Sequence, residues 1–173
     1  MTALHPLSAV PEDLVEALLD RVFGEDRHQR TAYKLREGAR MLDALSFAAL
    51  DDADYLVGSI QCWPVKLSAD NQDEFPMIMI GPVAVDPQHQ NAGIGRAMMT
   101  AVLESLSASA PLPLVMIGDP EYYGRHFGFS SKRTQGWQLP GPFERKRLLI
   151  KTIKGLKLPE IATLEPWLHG ASP

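Results

Sequence analysis

Apolar positions along the chain switch between a period near 3.6 and a period near two, and the switches set the expected elements. Leu14, Leu18, Leu19 and Val22 share one face of a helix expected over residues 11–23, with Pro11 in its first turn, Glu12 and Asp13 at its positive end and Gly24 as its stop. Residues 26–38 are polar, with Tyr33 and Leu35 as the few large apolar groups, and predict a second, mostly solvated helix. Its tyrosine and arginines are a candidate substrate wall. Residues 45–50 and 55–65 read as a hairpin closed by Asp51-Asp52-Ala53-Asp54, residues that bond their own backbone. After a polar loop at 68–74, the isoleucine- and valine-rich run at 77–85 is too short for a membrane helix and predicts a buried strand.

Gly81 and Pro82 interrupt that strand. Proline cannot donate to a sheet ladder, so a bulge or a parting from one neighbour is expected there, leaving backbone groups able to pair with an extended amide-bearing ligand. Gln90-Asn91-Ala92-Gly93-Ile94-Gly95-Arg96 then opens a helix with Ile94, Ala97, Met98, Ala101, Val102 and Leu106 at helical spacing. A loop of small residues around a helix N-terminus, with about four unpaired N–H groups and the positive end of the dipole, is an anion site. The spacing fits neither a P-loop nor a complete G-x-G-x-x-G, because Met98 stands at the last place. A second buried strand at 114–117 is followed by Asp119 as N-cap and Pro120 as first residue of a short helix, which places Tyr122 and Tyr123 in its first turns. Turn signals surround Trp137, a final strand is expected over 145–153, and the tail from 156 is expected to pack loosely through Leu164, Trp167 and Leu168.

Composition narrows the function classes. At 173 residues, 45% hydrophobic and 22% charged, the chain fits one globular domain, core about 8–155 and tail 156–173. A formal charge of -4 suggests neither nucleic acid nor an anionic membrane as main partner. The one cysteine, Cys62, sits in a strand-like run and reads as a core thiol of a reducing compartment. With no signal-peptide pattern and no long apolar run, a cytoplasmic protein is expected. Ligand spacing for a metal is lacking, so none is expected. His89 reads as a solvated turn histidine and His126 as structural or exposed.

Val83-Ala84-Val85-Asp86-Pro87, then Gln90-x-x-Gly93-x-Gly95, then Tyr122-Tyr123 with Phe127-Gly128-Phe129, resemble the GNAT superfamily of acyl-CoA-dependent N-acetyltransferases. The likeness is greatest to small bacterial members with a Gly-Asp-Pro-x-Tyr-Tyr segment. The resemblance implies an α/β (α+β) fold: a mixed, mostly antiparallel sheet of six to seven strands flanked by helices. In the family a central strand pair, here 83–85 and 114–117, splays to admit coenzyme A. It implies pantetheine pairing to the backbone of Val83 and Val85, and a pyrophosphate cradled by the N–H groups of Gln90, Asn91, Ala92, Gly93, Ile94, Gly95 and Arg96. It further implies a catalytic tyrosine at Tyr123 or Tyr122 that protonates the departing thiolate. The chain departs from the family pattern in two places: the first strand is not evident in residues 2–7, and the spacing from tyrosine to Gly-Phe is one residue longer than is commonest. Both tyrosines therefore stay in play.

The implied reaction is direct acetyl transfer from acetyl-CoA to a primary amine, of a small molecule or a protein, through a tetrahedral intermediate. The base is open, with Asp119, Glu121 or a water chain as candidates. A non-catalytic acyl-CoA-binding domain of the same fold and an unrelated nucleotide-binding α/β domain are the competing readings, and a homodimer through the final strand or tail is left open.

Overall fold

The computed structural model describes residues 2–107 and 111–168. In chain order the elements are β1 (Ala3–Pro6), α1 (Glu12–Phe23), α2 (Thr31–Lys34), β2 (Phe47–Leu50), β3 (Leu56–Ser68), β4 (Glu74–Val85), α3 (Ile94–Ser107), β5 (Leu114–Ile117), α4 (Pro120–Phe127), β6 (Gly136–Gln138), β7 (Leu148–Lys151) and β8 (Ile161–Pro166), with short 3-10 turns between them. The strands form one mixed sheet of eight in the order β1-β2-β3-β4-β5-β7, with β8 pairing β3 and β6 pairing β8. The ladders β1–β2, β2–β3, β3–β8 and β5–β7 are antiparallel, and β4–β5 and β6–β8 are parallel. This is the mostly antiparallel, helix-flanked sheet expected, with one strand more than the upper estimate.

The chain divides into two compact units, residues 2–28, 41–62 and 81–107 in one, and 29–40, 63–80 and 111–168 in the other. In the first, Val15, Leu18 and Leu19 of α1 pack with Leu7, Ala48 and Ala84. Leu14, expected on this face, is instead half in solvent, because Val15 takes the inward position. The helix stops at Gly24, whose φ of 93° suits glycine and whose N–H donates to Asp20 O at 2.9 Å. The hairpin forms as read: Asp51 accepts from Ala53 N and Tyr55 N, both at 2.9 Å, between paired β2 and β3. A short edge strand, β1, pairs Leu4 with Ala49.

The solvated helix over 26–38 does not form. Arg27 is only 1% exposed, and its guanidinium reaches Glu16 Oε2 at 2.5 Å and Asp20 Oδ1 at 3.0 Å on α1. A buried charge must be paired, and satisfying Arg27 fixes residues 25–29 as a 3-10 turn. The chain is then extended at Arg30 before the single-turn α2.

Helix α3 lies close on the sheet at Gly58. A Cβ there would stand 2.9 Å from Ile94 Cγ2, 3.1 Å from Met98 Cε and 3.3 Å from Ala49 Cβ. Gly58→Val is therefore expected to lower stability by about 1–3 kcal/mol, the usual cost of overpacking, read as an earlier urea midpoint. An unchanged midpoint would contradict this close approach.

The second unit has its own core, in which Leu35, Val65, Leu67, Met77, Val115, Trp137, Leu148 and Leu164 are buried together. The expected loose tail is instead β8: Ala162 and Leu164 point inward and Ile161 and Thr163 outward, while Leu67 pairs with Leu164. Trp137 lies in strand β6 rather than in a turn, and its Nε1 donates to Pro159 O at 2.9 Å. The final strand is shorter than expected, since residues 145–147 form a 3-10 turn ahead of β7.

Candidate active site

In the first unit β4 ends in Val83, Ala84 and Val85. Ala84 is buried, and the valines flanking it are half-buried. Gly81 has φ 141°, and its peptide bond to Pro82 is cis. The strand is closed by Asp86, whose N–H donates to Val57 O at 2.8 Å. Its carboxylate accepts from Gln88 N at 2.9 Å and from Arg21 at 3.3 Å. The Gln88 N–H foremost, and then Arg21, hold Asp86 below its ordinary pKa. Asp86 therefore stays charged and fixes the entry into the turn. His89, half-exposed, stands with Nδ1 3.8 Å from Asp86 Oδ1.

The turn itself is exposed at Gln90, Asn91, Ala92, Gly93 and Arg96. Asn91 and Gly93 take left-handed φ values of 67° and 81°, which wraps the loop around the head of α3. The first N–H given back to the helix is that of Ala97, to Gly93 O at 3.0 Å. Among the described residues, the N–H groups from Gln90 to Arg96 have no main-chain acceptor. Ile94 contributes its side chain to the core, 2% exposed, so that side chain is not part of the exposed turn. A Cβ on Gly95 would stand 3.8 Å from Val85 Cγ2, so the helix head and the end of β4 are in contact. Together they form an open ring of donors at a helix of 14 residues, which suits a diphosphate.

In the second unit β4 and β5 run parallel, Ile78 opposite Leu114 and Met79 opposite Val115. After β5, Asp119 caps α4 by accepting from Glu121 N at 3.0 Å, with Pro120 as the first helical residue. The helix closes on Gly128, φ 76°, with Gly128 N bonded to Gly124 O and Phe129 N to Tyr123 O. Lys151 Nζ donates to Phe127 O at 2.7 Å, a cation at the negative end.

The two tyrosines are held differently. Tyr123 lies against Gly118, where a Cβ would meet its Cε2 at 2.9 Å, and stands edge-on to the buried Phe129 at 6.3 Å. Tyr122 instead packs on His126, ring centroids 4.8 Å apart. Burial foremost, with the neighbouring Tyr122 and Asp119, pushes the Tyr123 hydroxyl up to about 12, and Arg147 acts in the opposite sense. Tyr123 is thus a neutral donor across the physiological range, and that form is lost only as pH rises through about 12. Of the candidate bases, Asp119 is engaged as the cap and Glu121 forms an exposed pair with Arg125 at 3.3 Å. Cys62 is buried, and burial raises its thiol far above the ordinary range, so it is no nucleophile.

The residues expected from sequence thus fall into two groups, the β4 end with the donor turn in one unit and the tyrosine helix in the other. Sequence alone does not mark Asp86, Gly118 and Arg147 for these supporting roles. The Asp-Pro step after an apolar run is the one local signal that pointed to any of them.

A family model described as an acetyltransferase (GNAT) domain matches residues 5–131, well over half of the chain. The chain belongs to the GNAT acetyltransferase family. It is 30% identical over 115 residues to the uncharacterized N-acetyltransferase YhbS of Escherichia coli K12; the match covers 66% of this chain and 65% of that protein, just under two thirds of its length. Two crystal structures share the fold. The Escherichia coli YhbS structure in complex with CoA has a TM-score of 0.68 at 22% identity, covering 98% of this chain and 90% of that one. A GNAT family acetyltransferase of Brucella melitensis in complex with acetyl-CoA has a TM-score of 0.62 at 22% identity, covering 95% of each chain.

Proposed function

We propose that the protein transfers the acetyl group of acetyl-CoA to a primary amine of a small molecule or a protein. The observation that carries this reading is the run of N–H groups from Gln90 to Arg96, left without main-chain acceptors among the described residues at the head of α3. Such a donor ring, in a chain of this family, suits the pyrophosphate of coenzyme A, and the CoA and acetyl-CoA bound by the two similar structures accord with it. In this account the backbone of Val83 and Val85 pairs with the pantetheine amides, and the Val83 N–H stabilises the carbonyl oxygen as it becomes an oxyanion.

The amine nitrogen attacks the thioester carbon, and the tetrahedral intermediate collapses with the C–S pair going to sulfur. Tyr123 gives its proton to that sulfur and regains one from solvent, while the nitrogen loses its surplus proton to solvent. Amide and free CoA thiol are the products. Holding both reactants together supplies much of the remaining acceleration.

The test is thiol release from acetyl-CoA across a panel of small amines and peptides with free amino groups. Release that depends on both an amine and the intact turn supports transfer. Tight CoA binding with no release from any amine would instead favour an acyl-CoA-binding domain.

A further inference from the structure

At the end of β5, Gly118 is gripped twice by one residue. Its N–H donates to Arg147 O at 3.0 Å, and its carbonyl accepts from Arg147 Nε at 3.3 Å. The Tyr123 ring covers the Cα face of the same glycine, where an added Cβ would stand 2.9 Å from Cε2 and 3.0 Å from Cδ2. Arg147 and Tyr123 are thereby fixed against one backbone unit. Tyr122 and Asp119 oppose ionisation of the phenol, and Arg147 is the cation that favours it. The other polar groups of α4 are turned to different tasks: Glu121 and Arg125 pair at the surface, and His126 packs on Tyr122. Lys151, from β7, is bound to the Phe127 carbonyl.

We propose that Arg147 is a positioning residue for acetyl transfer, pinned to Gly118 so that its positive charge offsets the negative charge left on Tyr123 as the phenol proton passes to the CoA sulfur. This rests on the acetyl-transfer reading above. An arginine is suited to the task because one N–H of its fork binds the carbonyl while the delocalised charge remains available to a neighbour.

Arg147 is exposed, so its replacement leaves the core intact. Arg147→Gln is expected to lower kcat about tenfold with little change in the KM for acetyl-CoA, and Arg147→Lys to recover most of the loss. In the cofactor-free protein, the tyrosinate absorbance that disappears in Tyr123→Phe should titrate at higher pH in Arg147→Gln than in wild type. A residue serving only as a structural pin would lower kcat equally in both Arg147 variants and leave the Tyr123 titration in place, and that result would overturn the proposal. Should wild type show no transfer at all, the acetyl-transfer reading fails on its own, and an unmoved titration would still count separately against a role for Arg147.

Discussion

Gly93→Asp is expected to reduce CoA affinity by about 100-fold or more, the largest effect of any single change considered. Gly93 has φ 81°, and an added Cβ there meets no atom within 4 Å. Aspartate tolerates a left-handed backbone better than most residues, and Asn91 already adopts one two positions earlier. The fold should therefore survive. What changes is charge: a carboxylate enters the donor ring where a diphosphate is to sit, and juxtaposed like charges cost several kcal/mol. Gly93→Ala serves as the control, carrying about 1–2 kcal/mol of backbone strain without the charge. Calorimetric titration of the two variants with CoA checks the claim, and equal affinities for Ala and Asp would place the phosphates elsewhere.

The second large effect is on turnover. Tyr123→Phe should lower kcat by about 100-fold, the low end of what a positioned general acid contributes, with CoA affinity changed less than about threefold. Tyr122→Phe should leave kcat within about fivefold, because that ring is placed by His126 and lacks the seat on Gly118. The pH profile follows from the raised phenol. A step that needs the protonated hydroxyl keeps it up to about pH 12, so any loss of kcat between pH 8 and about 10 must arise from another group. Equal losses in the two Phe variants, or a kcat limb that disappears in Tyr123→Phe below pH 10, would contradict the assignment.

Much of the fold was legible because its signals are local. β3, β4 and β5 are apolar runs, α3 keeps Ile94, Met98, Val102 and Leu106 on one buried face, and α4 announces both ends with Asp119-Pro120 and Gly128. The failures come from pairing at long range. The six residues of β8 read as a tail because they acquire meaning only beside β3 and β6, and Trp137 reads as part of a turn because its partner, Pro159, is 22 residues away. The polar segment after Gly24 misled for a different reason, since charge in a sequence reads as solvent exposure. Arg27 is buried nonetheless, because Glu16 and Asp20 meet it.

The donor turn was legible in the same way, through two glycines ahead of a helical period. The different seating of Tyr122 and Tyr123 was not, because adjacent residues share one local context. It is Gly118, five residues before Tyr123 in sequence, whose missing side chain makes room for the Tyr123 ring. Nothing local couples Gly118 to Arg147, which lies 29 residues further on in the 3-10 turn before β7.

Calorimetric titration of the wild-type protein with acetyl-CoA, with ATP as the comparison, tests the central claim most directly. The account predicts saturable binding of acetyl-CoA with a Kd near the micromolar range, about -8 kcal/mol, and far weaker binding of ATP. Absence of acetyl-CoA binding, or tighter binding of ATP, would contradict it.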